Sequence, residues 1–414
     1  MTDVAAGGST VHILVKLSAA ASSGAADRPP VNLALAIDRS SSMRGPRLAQ
    51  ALRAAGQLVD KLGPSDRLTV VTFDAAARVV FGPAPVTADA KRELHTALTD
   101  IHSGAGTNLA AGIKKSAEAL RAVYLREGLS RLVLLTDGQP SVGVTDARRL
   151  SDLADREAKQ GVTITGMGVG EGFDDELLAD IARSGRGGFH YLATASDIPA
   201  AFGRELDGVF SIAATRAELK LVPSDDVTSI EVLHRLPSRP LDDGMLIEVG
   251  EVASGAPRLV LLKLARRADA PSRHCGTLTL TYRRHDGSRG DAHNVGVEPP
   301  KIPLSDHLLE VTRERLRLEA AAAVDGAWAR RAGGEGPQAL AVLAGVSRRI
   351  SEAEQRGRLD AGDAAELLDE IRAAREAVTK GAAEREKLRR GMRERSQITL
   401  LGQSGVQPLH PEED

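Results

Sequence analysis

Apolar positions change their period along the chain, and those changes divide it. Val11, Ile13, Val15 and Leu17 alternate with His12, Leu14, Lys16 and Ser18, which predicts a strand over Val11–Ala19. Ala20 to Pro30, rich in Ala, Ser, Gly and Pro, reads as a linker. From Val31 to about Phe210 strands and helices alternate. Val31–Ile37, Arg67–Phe73, Arg78–Phe81, Arg131–Thr136, Val162–Met167 and Phe189–Leu192 read as strands. The stretch opened by Gly45-Pro46, then Asp89–Ile101, Leu109–Arg126, Asp146–Gln160, Asp175–Ser184 and Ile198–Phe210, carries helical spacing. The unbroken run Leu132-Val133-Leu134-Leu135 fits a parallel strand covered on both faces.

After Ala213 the period shortens. Glu218–Val222, Ser229–Leu233, Leu246–Val249, Arg258–Leu264 and Gly276–Tyr282 are strand-like and are separated by Pro, Gly and Asp, the pattern of a small β-sandwich. Beyond Leu304 the composition turns to Ala, Glu, Arg and Leu, with helices expected at Leu308–Arg331, Gln338–Gln355 and Asp360–Arg395. The expected architecture is α/β: a doubly wound, mostly parallel, Rossmann-like sheet inserted in a small β-sandwich and followed by an α-helical region. The expected division is 1–30 for the N-terminal strand and linker, 31–212 for the α/β domain, 213–300 for the sandwich, 301–400 for the helices and 401–414 for a flexible tail. The first strand has no place in the α/β domain, so it is expected to cross over and pair in the sandwich.

Composition narrows the function classes. Net charge is -2, which argues against a binder that holds nucleic acid by overall positive charge, and 2% aromatic residues leave few surfaces for stacking bases. The one cysteine, Cys275, cannot form an internal disulfide and makes a Cys-based zinc site improbable; it reads as a buried small apolar residue. No run is long and apolar enough to span a membrane, and the first residues have no basic segment followed by an apolar one, so the expected location is the cytoplasm.

The candidate chemistry sits where strands of the α/β domain end. Asp38, Ser40 and Ser42 follow the first strand, Gly104-Ala105-Gly106-Thr107-Asn108 leads into a helix, and Asp137 follows a central strand in Thr136-Asp137-Gly138. Open α/β sheets bind ligands at the carboxyl ends of their strands. Two carboxylates and three hydroxyls from three loops form an all-oxygen donor set, suited to Mg²⁺, with Mn²⁺ or Ca²⁺ as alternatives. Read structurally, the same Ser, Asp, Thr107 and Asn108 side chains are good helix caps.

Asp38-x-Ser40-x-Ser42, Gly106-Thr107-Asn108-Leu109 and Thr136-Asp137-Gly138 closely resemble the metal-ion-dependent adhesion site of von Willebrand factor type A domains. The resemblance runs from about Val31 to Phe210 and is of the bacterial intracellular type. It implies direct metal coordination by Ser40 and Ser42. Thr107 and Asp137 would bind directly or through water, depending on conformational state, Asp38 would belong to the same metal set, and a partner protein's Asp or Glu would add a ligand. It also implies a switch of ligation between Asp137 and Thr107 coupled to the last helix of the domain. AAA+ ATPases of the MoxR type, or components of stress or conflict systems, are the partners it suggests. Ser41 stands where the family often has glycine, a departure that bears on the loop's backbone angles.

Other signals carry less. Gly166-x-Gly168-x-Gly170 has the wrong spacing for a dinucleotide fingerprint and reads as turn geometry. His285 and His293 fall in a Gly/Asp-rich loop and read as solvated. Arg385–Arg395 is interleaved with glutamates, as on a solvated helix face, and Trp328 reads as helical core or, second, as an exposed partner anchor. The expected function is therefore a non-enzymatic, Mg²⁺-dependent protein-interaction module. A metal-dependent hydrolase and a scaffold that does not use its metal site for binding are the alternatives.

Overall fold

A computed structural model describes residues 2–5, 8–19, 28–123, 128–269, 273–284, 288–298, 305–380 and 382–403. In chain order the elements are β1 (Thr2–Ala5), β2 (Gly8–Leu17), β3 (Val31–Asp38), α1 (Pro46–Lys61), β4 (Arg67–Phe73), β5 (Ala77–Pro85), α2 (Ala88–Thr99), α3 (Leu109–Ala122), β6 (Leu129–Thr136), α4 (Ala147–Lys159), β7 (Val162–Val169), α5 (Asp175–Ser184), β8 (Arg186–Leu192), α6 (Ile198–Phe210), β9 (Ile212–Pro223), β10 (Val227–Val232), β11 (Ser238–Leu241), β12 (Gly244–Ala253), β13 (Arg258–Arg267), β14 (Gly276–Arg284), β15 (His293–Val297), α7 (Ser305–Ala332), α8 (Gly336–Gln355), α9 (Ala361–Thr379) and α10 (Ala382–Leu400). They form two compact units: one runs from β3 to α6, and the other takes β1, β2 and everything from β9 onward.

In the α/β unit the strand order is β5-β4-β3-β6-β7-β8, parallel except for the antiparallel edge pair β4–β5. Every residue of β3 is buried, as a strand covered on both faces requires. Its alternate residues serve different faces. Ala34 and Ala36, with Leu132 and Leu134 of β6, join one core with Leu109 and Ile113 of α3, Leu150 and Leu153 of α4, and Leu177 and Leu178 of α5. Pro46 opens α1 where its missing N–H costs nothing, and Leu48, Ala51, Ala55, Leu58 and Val59 form that helix's buried stripe.

Gly166 and Gly168 lie inside β7 rather than in a turn, which corrects the expectation for them. Only Gly170, with φ +71°, has a turn conformation. A Cβ on Gly168 would stand 2.2 Å from the Phe173 ring. Gly168→Ala is expected to destabilise the unit by about 1–3 kcal/mol through overpacking, read as a lower melting temperature.

The second unit opens with two antiparallel sheets, ordered β1-β2-β13-β10 and β11-β12-β9-β14-β15. β2 pairs along its length with β13, in the register Val11↔Leu264 and Leu17↔Arg258. The N-terminal strand is thus built into the same sheet as a strand some 250 residues later in the chain. The two sheets share one core, with Val11 and Leu17 of β2 and Val260, Leu262 and Leu264 of β13 against Leu219 and Leu221 of β9, Ile247 and Val249 of β12, and Cys275. The short strands β1, β11 and β15 were not predicted. His293 opens β15 and stacks on Tyr282 with ring centroids 6.1 Å apart; His285 lies outside the described residues.

The helices follow. Trp328 of α7, 3% exposed, is core among Leu343, Val346, Ile350, Leu367 and Ile371. The single helix expected over Asp360–Arg395 is two, α9 and α10, because the backbone turns extended at Lys380 (φ -68°, ψ 170°). Leu401–Gln403, counted with the tail, are held in place: Leu259 N–H donates to the Gly402 carbonyl at 3.0 Å. The rest of the expected tail, and Ala20–Asp27 of the expected linker, lie outside the described residues. At the linker's end Arg28 is anchored, its guanidinium donating to Asp66 at 2.8 Å. Among the described residues no helix is long and apolar enough to cross a membrane.

Candidate metal centre

β3 connects outward to β4 on one side, and β6 connects outward to β7 on the other. The strand order therefore reverses between β3 and β6, at the crevice where open α/β sheets bind ligands. Asp38 ends β3, and Ile37 is paired with Leu135, so Asp137 emerges one residue past the end of β6 beside it. The third segment is pinned by backbone bonds to the first segment and to the turn after β4. Gly104 N–H donates to the Arg39 carbonyl at 2.6 Å, and Asn108 N–H to the Asp74 carbonyl at 2.8 Å. Gly104 permits this approach, since a Cβ there would meet Asp74 Oδ2 at 2.1 Å.

Asp38 is wholly buried, and both its oxygens are engaged. Oδ1 accepts from the Ser40 backbone N–H at 2.8 Å, and Oδ2 from the Thr136 hydroxyl at 2.6 Å. Burial, with a smaller push from the Asp137 charge, outweighs the hydrogen bonds from Thr136 and Ser40 and raises the Asp38 carboxyl to about 6. Ser40 Oγ and Ser42 Oγ are 3.0 Å apart, and the Ser42 hydroxyl donates to Asp137 Oδ1 at 2.7 Å. Asp137 Oδ2 accepts from Arg47 Nη1 at 2.6 Å. Thr107 is placed by its backbone, its N–H donating to Ser141 Oγ at 3.0 Å and its carbonyl accepting from Ser141 N–H at 2.9 Å. A Cβ on Gly138 would lie 3.5 Å from both Ser42 Oγ and Thr107 Oγ1, so the two hydroxyls flank one small gap beside Asp137.

All five predicted residues thus lie at one end of the sheet. Asp38, Ser40, Thr107 and Asp137 are buried, and Ser42 is exposed, so solvent reaches the cluster from the Ser42 side. The helix-cap reading holds for Asn108 alone, whose side chain accepts from Ala111 N–H at 3.0 Å. Neither Ser40 nor Thr107 makes a side-chain cap. Asn108→Ala is expected to cost about 1 kcal/mol in thermal unfolding and leave divalent-cation binding intact. Ser41 lies in a short 3-10 turn, Ser41–Met43, an ordinary right-handed conformation, so its replacement of glycine strains nothing.

Sequence reasoning missed Thr136 as the support of Asp38, Ser141 as the support of Thr107, and Arg47. Thr136 stands within the Thr136-Asp137-Gly138 motif and could have been found there. Arg47 carries no sequence signal.

The donor set fits a hard divalent cation. Octahedral coordination with bonds of roughly 2.0–2.1 Å places adjacent oxygens about 3.0 Å apart. Ser40 Oγ and Ser42 Oγ have that spacing. Among the described residues there is no cluster of three or more His, Cys, Asp or Glu able to hold a metal, and the donors gathered here are three hydroxyls and two carboxylates.

The family profile of the von Willebrand factor type A domain matches residues 32–203. A protein of Synechocystis, sll0103, is 27% identical over 288 residues, covering 67% of each chain. YfbK of Escherichia coli is 26% identical over 183 residues, covering 43% of this chain and 31% of that protein, so the match spans about a third of the E. coli relative. The solved von Willebrand factor type A protein of Catenulispora acidiphila superposes with a TM-score of 0.68 at 16% identity, covering 88% of this chain and 85% of that one. That likeness is one of fold.

Proposed function

We propose that the chain is a non-enzymatic protein-interaction module that captures a carboxylate of its partner through a Mg²⁺ ion. Ser40, Ser42, Thr107, Asp38 and Asp137 would hold the ion, the two serines directly and Asp137 and Thr107 directly or through water. The observation that carries this reading is the convergence of Ser40, Ser42 and Asp137, joined at 3.0 and 2.7 Å, at the switch point of the sheet. A bound divalent cation supplies the positive charge that a partner Asp or Glu requires.

The chain's own residues do the rest. Asp38 fixes the turn by accepting from Ser40 N–H, which sets the spacing of the two serines. Thr136 fixes Asp38 in turn. The ligating groups are mostly neutral hydroxyls, so the cation keeps unneutralised charge for an incoming carboxylate, and burial around it strengthens that attraction. Both carboxylates are already engaged by hydrogen bonds, which favours binding over a hydrolase that needs a general base at the site.

The test is recovery of partners from native lysate by the wild type and Asp137→Ala, each with Mg²⁺ and with EDTA. A protein retained only by the wild type with Mg²⁺ is the expected result, and its identity decides between AAA+ ATPases of the MoxR type and stress- or conflict-system proteins. Equal recovery in all four conditions would contradict metal bridging and favour a scaffold.

A further inference from the structure

Arg47 is the second residue of α1, and its guanidinium reaches across to the metal centre. Nη1 donates to Asp137 Oδ2 at 2.6 Å and stands 3.4 Å from the Ser42 carbonyl. The far side of the guanidinium lies against Gly170, where a Cβ would come within 2.9 Å of Nη2. Gly170 thus leaves the space in which the arginine lies. The other cations of the first loop are committed elsewhere: Arg39 donates to Asp74 at 2.5 Å, and Arg44 to Ser103 Oγ at 3.3 Å.

We propose that Arg47 is a built-in counter-cation that competes with the divalent ion for Asp137 and so sets the metal affinity of the site. This rests on the metal-site reading above. Asp137 has two carboxylate oxygens, and its side chain is wholly buried. One oxygen takes the Ser42 hydroxyl and the other takes Arg47. A divalent ion held by Ser42 and Asp137 would share that carboxylate with the guanidinium, and the two positive charges would repel each other around it. Arginine stays protonated throughout the working pH range, so deprotonation cannot relieve that repulsion. Relief comes from movement, because the Arg47 side chain is 37% exposed and has a path into solvent. Loading the site then costs an ion pair without burying a charge elsewhere.

The test uses the full chain and Mn²⁺ alone as the probe. Titration calorimetry and the Mn²⁺ electron paramagnetic resonance signal give the affinity of the wild type, Arg47→Ala, Arg47→Gln and Asp137→Ala. Thermal melts in EDTA and in Mn²⁺ accompany them. Arg47→Gln keeps most of the stem and removes the charge, so the test survives if Arg47→Ala folds poorly. Both Arg47 variants are expected to bind Mn²⁺ about tenfold tighter than the wild type. They are also expected to melt lower in EDTA and to gain more on adding Mn²⁺. If they bind no tighter than the wild type while Asp137→Ala loses binding, Arg47 does not compete and the metal site stands. If Asp137→Ala binds as the wild type does, the metal-site reading fails and the Arg47 proposal fails with it.

Discussion

Asp137→Ala is expected to weaken divalent-cation binding by more than about 100-fold, beyond the 10–100-fold typical of losing an outer-shell partner, and to leave the chain folded. Asp137 lies just past β6 and takes no part in its ladder. Its side-chain partners are Ser42, an exposed residue, and Arg47, which can turn to water once the carboxylate is gone. Asp38→Ala is a poorer probe. Removing that carboxylate leaves the buried Ser40 N–H and Thr136 hydroxyl without their acceptor, which costs about 1–3 kcal/mol in addition to any loss of metal. Calorimetric titration with Mg²⁺, beside a far-ultraviolet spectrum and a melt, separates the two effects. Wild-type affinity in Asp137→Ala would mean that the ion binds elsewhere.

The largest stability effect in the α/β unit is expected at Glu205. This carboxylate on α6 is reached from three neighbouring strands. The Thr165 hydroxyl of β7 donates to Oε1 at 2.7 Å, Arg131 Nε of β6 lies 3.5 Å from the same oxygen, and His190 Nε2 of β8 is 3.4 Å from Oε2. Burial pushes the Glu205 carboxyl up, but the His190 and Thr165 hydrogen bonds and the charges of Arg131 and His190 outweigh it and hold the group at about 2. Glu205→Ala removes a counter-charge of an Arg131 side chain that is only 6% exposed, and is expected to cost about 3 kcal/mol.

The sign of the pH dependence follows from the lowered value. Glu205's contribution is complete above its ordinary value of 4.5 and is lost as pH falls from there through about 2. Denaturant unfolding of the wild type and Glu205→Gln from pH 5 to pH 3 should show a stability gap that narrows as the pH falls. A gap independent of pH would mean that the charge does not contribute.

What the sequence reveals and what it hides have separate physical causes. The buried runs of β3 and β6 announce themselves because a strand covered on both faces must be apolar almost throughout. A carboxylate at the end of each run then marks the site. Edge strands do not announce themselves: β11, Ser238–Leu241, carries two polar residues and a proline and has no alternating apolar face. The break at Lys380 interrupts a helical pattern that is periodic on both sides of it, so periodicity alone runs straight through. The ligand residues cluster in short motifs, but their supports come from distant turns. Ser141 reaches Thr107 across 34 residues, and Arg47 reaches Asp137 across 90, which only the folded sheet brings together.

The central claim is a divalent cation held where β3 and β6 part. Anomalous diffraction from crystals of the full chain grown with Mn²⁺ tests it most directly. The account predicts one strong anomalous peak within coordination distance of Ser40 Oγ and Ser42 Oγ, absent from Asp137→Ala crystals. A peak at another place, or the same peak undiminished in Asp137→Ala, would contradict it.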